Sequence, residues 1–151
     1  MYHAIIKRIA RNAFEDLSDR NAEALLDRCA PDMTHTFAGE HALGGTRQSR
    51  EAFREWVDRL YRLFPELQFH VRDILVAGPP WNTRLVIAWQ DRGVAADGVD
   101  YENEGIHRLC LHWGRLVALH ATLDTQHLTN TLDRMAAAGI DEATADPICD
   151  S

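Results

Sequence analysis

Cysteine is scarce in this chain. Cys29, Cys110 and Cys149 are the only three in 151 residues, an odd number with no CxxC spacing. That argues against a disulfide framework and sets the expectation of a reducing, cytoplasmic setting. Apolar runs long enough to cross a bilayer are missing. The N-terminal MYHAIIKRIARNAF mixes charged with apolar residues and so lacks the uninterrupted core of a signal peptide. A basic excess is missing too: 16 Lys and Arg stand against 23 Asp and Glu, for a formal net charge of -7. Neither nucleic acid nor an anionic membrane is then an expected partner, because both require a cationic footprint. No GxGxxG or GxxxxGK[ST] phosphate loop occurs. The eight histidines show no HxH, HExxH or two-His-one-carboxylate spacing in a supporting context, so no metal and no cofactor is expected. No Ser-His-Asp or Cys-His motif is present either.

What is present is an ordinary globular composition, 46% hydrophobic and 26% charged, in a length that suits one domain with a real core. Ile5, Ile6, Ile9, Ala13, Phe14 and Leu17 recur at helical spacing and predict a helix over Tyr2–Leu17. Ser18-Asp19 breaks it before a second, Asn21–Cys29, and Pro31-Asp32 closes the pair. Met33–Phe37 reads as a short strand. The loop Ala38–Gln48 carries Gly39, Gly44 and Gly45, and Ser49 caps a third helix through Phe64 whose stripe is Phe53, Trp56, Val57, Leu60 and Phe64. Strands follow over Leu67–Ala77, Thr83–Asp91, Tyr101–Trp113 and Leu116–Leu123, then a last helix from Thr125 to Ala138. The order α-α-β-α-β-β-β-β-α defines an α+β fold. Residues 1–140 form one domain on this reading, and 141–151 an acidic, mobile tail.

The stretch YENEGIHRLCLHW (Tyr101–Trp113) splits by alternation into two faces. One carries Glu102, Glu104, Arg108 and His112, with Ile106 and Cys110 between them. The other carries Tyr101, Asn103, Gly105, His107, Leu109, Leu111 and Trp113, and is the greasier. Asn103 and His107 therefore turn inward, where a polar group is costly unless it is hydrogen-bonded or faces a wet cavity. Two such groups on one inward face predict a pocket rather than a solid core.

The run CAPDMTHTFAGEHALGGTRQSREAF (Cys29–Phe53) resembles the signature of the SnoaL-like polyketide cyclase group: a helix ending in Pro-Asp, a strand, a Gly-Gly loop and an Arg-Glu-Ala helix start. That group belongs to the nuclear transport factor 2-like superfamily, with ketosteroid isomerase, scytalone dehydratase and limonene epoxide hydrolase. The element order is similar to the superfamily from about Met1 to Ala138. The resemblance implies a cone-shaped barrel, a strongly curved and mostly antiparallel sheet wrapped around helices over an apolar pocket. It also implies a homodimer packed through the outer sheet face. Departures stand beside the likeness. Phe37 occupies the position of ketosteroid isomerase's catalytic aspartate, and Ala13 that of its oxyanion-hole tyrosine. Ala121 falls where the cyclases carry their acid/base aspartate.

These readings name the candidate site. His35, on the face of Met33 and Phe37, and His107 would trade protons across the pocket, with Asn103 orienting a substrate carbonyl. Phe37, Trp56, Leu60, Trp89, Tyr101 and Leu109 would wall in a small apolar or aromatic substrate. His41, in the glycine-rich loop, would belong to a lid, and Asp124 either to the site or to the cap of the last helix. Each has a plainer alternative: a satisfied core histidine, an amide tying down the bend at Gly105, core tryptophans, a solvated loop. The function expected is cofactor-independent acid/base chemistry, namely cyclisation, isomerisation, dehydration or epoxide opening, on a flat polyketide-, steroid- or terpenoid-like substrate. The alternative is a non-catalytic ligand-binding or dimerisation module.

Overall fold

The computed structural model describes residues 1–150. Helix α1 spans Tyr2–Ser18 and α2 Ala22–Asp27; strands β1 (Cys29–Phe37) and β2 (Gly45–Arg47) precede α3 (Arg50–Leu63). Four strands follow, β3 (Gln68–Ala77), β4 (Thr83–Val94), β5 (Asp100–His112) and β6 (Arg115–Leu123), then α4 (Thr125–Ala137) and a 3-10 turn over Asp141–Thr144. The strands form one mixed sheet in the order β2-β1-β6-β5-β4-β3, with every neighbouring pair antiparallel except β1 and β6. The helices cover one face of that sheet, and residues of all four share its core. Curvature of the unclosed sheet around them makes the cone.

The local causes follow from the side chains. Ile6, Ala10 and Phe14 are the buried stripe of α1, and Phe53, Trp56, Val57, Leu60 and Leu63 that of α3, as their spacing requires. Ser49 accepts the Ala52 N–H at 3.1 Å and starts α3, and Asp124 accepts the His127 N–H at 3.0 Å and starts α4, each satisfying one orphan donor. Arg20 sits at φ 59° past the end of α1 and donates to the carbonyls of Ser18, Phe64 and Leu67. It thereby pins that helix to the α3–β3 connection.

Several boundaries differ from the sequence reading, among them the end of β4, which runs on to Val94. Pro31-Asp32 lies inside β1, which begins at Cys29, at the irregularity where the pairing with β6 shifts register between Cys29 and Thr34; the strand absorbs the break there. The glycine-rich loop holds a short edge strand, β2, paired through His35 to Arg47 and Phe37 to Gly45. Trp113 does not continue the inward face of β5. It turns at φ 52° and stands 72% exposed, because the reversal into β6 starts there. The stretch after Ile140, read from its composition as a mobile tail, makes specific contacts. Glu142 bridges Arg59 and Arg62 of α3, and Asp150 accepts from Gln48 N and Ser49 Oγ.

Candidate functional site

Side chains from every helix and from five of the six strands surround a cavity of about 110 Å³. Most of its wall is carbon. His35, Phe37, Trp56, Leu60, Trp89, Tyr101, His107 and Leu109 all line it, so the inward faces assigned to β1 and β5 hold. Three candidates lie elsewhere. Asn103 donates to the Tyr101 hydroxyl at 2.8 Å and to the Asp124 carbonyl at 3.1 Å, tying β5 to the start of α4. Asp124 is the α4 cap. In the glycine-rich loop, His41 Nε2 donates to the Ala38 carbonyl while Nδ1 accepts from Leu43 N–H. Their polar atoms already have protein partners, which fits their plainer readings.

Among the described residues, five buried polar atoms have no hydrogen-bond partner: Arg28 Nε, His35 Nε2, Trp89 Nε1, Asp91 Oδ1 and His107 Nδ1. All five residues line this one cavity. An unpaired buried polar group costs roughly 1–3 kcal/mol, so such groups scattered at random would be selected against. Gathered around one void, they are the groups a polar guest would satisfy.

Asp91 is the residue the sequence reading passed over. It lies three residues before the end of β4, on the face of Leu85, Ile87 and Trp89, opposite Asn103 of β5. Its side chain is 5% exposed, and burial pushes its carboxyl up to about 7, against the pull of the Asn103 backbone N–H. Desolvation penalises the charged form. The carboxyl also borders a polar outer pocket lined by His70, Arg72, Gln90, Glu102 and His127. It is thus an acid that exchanges protons near neutrality, set between an apolar interior and a polar exterior.

The histidines have the opposite character. Burial pushes His107 down to about 3. Its ring stands edge-on to Phe14 at 5.3 Å and tilted against Trp89 at 5.4 Å. Among the described residues no carboxylate pairs with it to favour a charge. His35 is fully buried among Phe53 at 4.6 Å and Trp56 at 4.5 Å; burial first, then the Arg47 cation, holds it well below the ordinary histidine range. Burial thus favours the neutral form of both imidazoles. Among the cavity's titrating groups, the Asp91 carboxyl is the one pushed toward neutrality.

Ala121, which the resemblance sets at the cyclase aspartate position, lies opposite His107 and beside Phe37. A carboxyl reaches the cavity from β4 instead. Its signal was present in the alternation Thr83, Leu85, Ile87, Trp89, Asp91, whose last member shares the greasy face. Among the described residues, no cluster of three His, Cys, Asp or Glu side chains could hold a metal ion.

The fold and the cavity define a cone of the nuclear transport factor 2-like kind with a lined interior. A family model for the SnoaL-like domain matches residues 10–119, and the chain belongs to that family. Solved structures share the fold at low identity. A protein of unknown function from Burkholderia pseudomallei, described as nuclear transport factor 2-like, is 19% identical with a TM-score of 0.75, covering 83% of this chain and 95% of its own. PrhC from Penicillium brasilianum is 14% identical with a TM-score of 0.78, covering 91% and 92%. TerC, co-crystallised with polyporic acid, is 16% identical with a TM-score of 0.74, covering 85% and 98%. No curated protein sequence matches the chain.

Proposed function

We propose that this protein is a cofactor-independent acid/base enzyme acting on a small oxygenated ring compound, with Asp91 carrying the proton. One observation carries the reading: a carboxyl raised to about 7 faces an apolar cavity whose other unpaired polar groups are mostly donors. In this arrangement an ionised Asp91 removes a proton beside a carbonyl or hydroxyl-bearing carbon. N–H donors such as Trp89 Nε1 then offset the charge that develops on oxygen, and the protonated carboxyl returns the proton elsewhere on the ring. Isomerisation follows that sequence. In cyclisation the carbanion adds to a second carbonyl of the substrate, whose oxygen takes the proton; in dehydration the proton goes to the departing hydroxyl, which leaves as water. In epoxide opening Asp91 is the acid on the ring oxygen while a hydroxyl of the substrate or water adds to the carbon and gives up its own proton.

The volume narrows the guest. A cavity of about 150 Å³ accommodates benzene; this one, at about 110 Å³, is smaller, so a single six-membered ring is the upper limit and requires its walls to yield slightly. A polyketide- or steroid-sized skeleton requires α1 and the sheet to part. TerC's crystallisation with polyporic acid supports a flat, oxygenated guest. The resemblance further supports a homodimer through the outer sheet face. A non-catalytic binding module remains the second reading, favoured by the two histidines held neutral.

The separating test is proton exchange on one-ring ketones in D₂O, followed by loss of the α-proton signal in NMR. The intact protein is expected to accelerate exchange, and Asp91→Asn to reduce that acceleration by about 10²–10⁴-fold, the ordinary worth of a positioned acid/base group. Ligand binding without accelerated exchange, or equal rates for both proteins, would leave the binding module as the correct reading.

A further inference from the structure

Arg47 is the largest fully buried side chain in the molecule, and it enters no ion pair with any of the described residues. Each arm of its guanidinium is nevertheless assigned. Nε donates to the Ile148 carbonyl at 2.9 Å, Nη2 to the Gly44 carbonyl at 2.6 Å and Nη1 to His35 Nδ1 at 2.6 Å. The cation also lies against the Trp56 ring, 5.8 Å from its centroid. Burying a cation is costly; Cys149 and Asp150 near the C-terminus favour its charge, while its direct partners are two carbonyls and an imidazole nitrogen. The third partner carries the argument.

Arginine has no acceptor: every nitrogen of its guanidinium is protonated or donating. The His35 Nδ1 that meets Nη1 must therefore be the unprotonated nitrogen. In a neutral imidazole the proton then sits on Nε2, the atom that is buried without a partner on a residue lining the cavity. The ring edge taken by Arg47 and the edge left free are opposite edges of one imidazole.

We propose that Arg47 is a positioning residue of the cavity: it holds His35 as the Nε2–H tautomer, making it a fixed donor for an acceptor oxygen of the bound ligand. The ligand clause rests on the reading of the cavity as a small-molecule site; the tautomer clause does not. The class of ligand follows from the same chemistry. A ring with a carbonyl, ether or deprotonated hydroxyl oxygen at this point completes the His35 donor, whereas a hydrocarbon of the same shape leaves it unpaired and loses roughly 1–3 kcal/mol, or about 5- to 150-fold in affinity. Arg47 reaches this result from β2 and its loop without lining the cavity itself.

Long-range ¹H–¹⁵N correlation of the histidine rings in the intact protein at pH 7 tests the first clause. His35 is expected to show one protonated nitrogen, Nε2, with Nδ1 at the shift of an unprotonated acceptor. An Nδ1–H or doubly protonated ring would overturn the proposal without any variant. Arg47→Lys is expected to retain the Nε2–H pattern and Arg47→Met to lose it; retention in a folded Arg47→Met would remove Arg47 from the role. Acetophenone and α-methylstyrene, which differ only by C=O against C=CH₂, test the second clause. Acetophenone should bind more tightly and shift the His35 Nε2–H resonance, and α-methylstyrene should not shift it. Equal shifts would overturn the donor assignment. If neither probe binds while the tautomer stands, the small-molecule reading fails and the role of Arg47 in fixing His35 survives.

Discussion

At the scale of single residues, the cavity's titrating groups oppose each other. Asp91 has a folded-state pKa of about 7 against an ordinary 3.8. The folded chain thus holds that proton more tightly than the unfolded one. Its favourable contribution is complete below pH 4 and is lost as pH rises toward 7, above which the buried charge costs up to ~4 kcal/mol. His107, lowered to about 3, and His35, also lowered, act the other way. Their contribution is complete above the ordinary histidine pKa of about 6.5 and is lost as pH falls through the folded values. Between about pH 4 and 6.5 His107 and Asp91 offset each other and the lowered His35 tips the balance, so stability from these three groups rises with pH. It turns down once only Asp91 is titrating, which puts the maximum near pH 6.5. Asparagine mimics the protonated carboxyl. Asp91→Asn is accordingly expected to gain about 2–4 kcal/mol in urea unfolding at pH 8 and almost nothing at pH 4. An equal gain at both pH values would show that some other group titrates. Activity should move the opposite way, since the strain that destabilises the carboxyl is what makes it useful.

At the scale of elements, the long strand β5 shows how much the sequence conveyed. Its alternation correctly turned Tyr101, His107, Leu109 and Leu111 inward, because period-two patterning is a local property. It could not show that Asn103 is consumed by Tyr101 and Asp124, since the α4 end that supplies one acceptor is twenty-one residues away. Arg47 is less legible still: its partners come from residues 35, 44 and 148, and nothing in a glycine-rich loop announces a buried cation. Asp91 was legible, but the polar last residue of a greasy strand face reads like the strand's end. Gly105 belongs to the same lesson. A Cβ there would lie 2.5 Å from the Thr122 carbonyl oxygen and 2.7 Å from the Trp89 ring, so the glycine exists to let Trp89 cross β5 and wall the cavity. Gly105→Ala should cost about 1–3 kcal/mol, because the carbonyl belongs to the sheet and cannot yield. It should also shift the Trp89 contribution to fluorescence emission. An alanine variant with unchanged stability and emission would mean that the ring is free to sit elsewhere.

At the scale of the whole molecule, the sheet's outer face is the counterpart of the cavity. The concave side is filled by helices, while Leu75, Val86 and Ile106 on the convex side are 62%, 37% and 43% exposed. They form one patch: Leu75 pairs directly with Val86, whose partner across the next strand is Arg108, and Ile106 is the diagonal neighbour on the same face. Glu104 and Arg108, also on β5, flank Ile106 with opposite charges. Under two-fold symmetry such an arrangement can meet its own copy, Arg108 of one protomer facing Glu104 of the other around an apolar centre. The protein is therefore expected to sediment as a dimer at micromolar concentration. Ile106→Glu should shift it to monomer, because two-fold symmetry places each added carboxylate near its mate and buries charge where the interface is driest. The cavity lies on the other side of the sheet, so a folded Ile106→Glu monomer should keep the His35 tautomer and the affinity for acetophenone. Loss of both along with the dimer would mean that the sheet's curvature, and with it the cavity, depends on the partner. A wild-type monomer would leave the outer patch as plain surface.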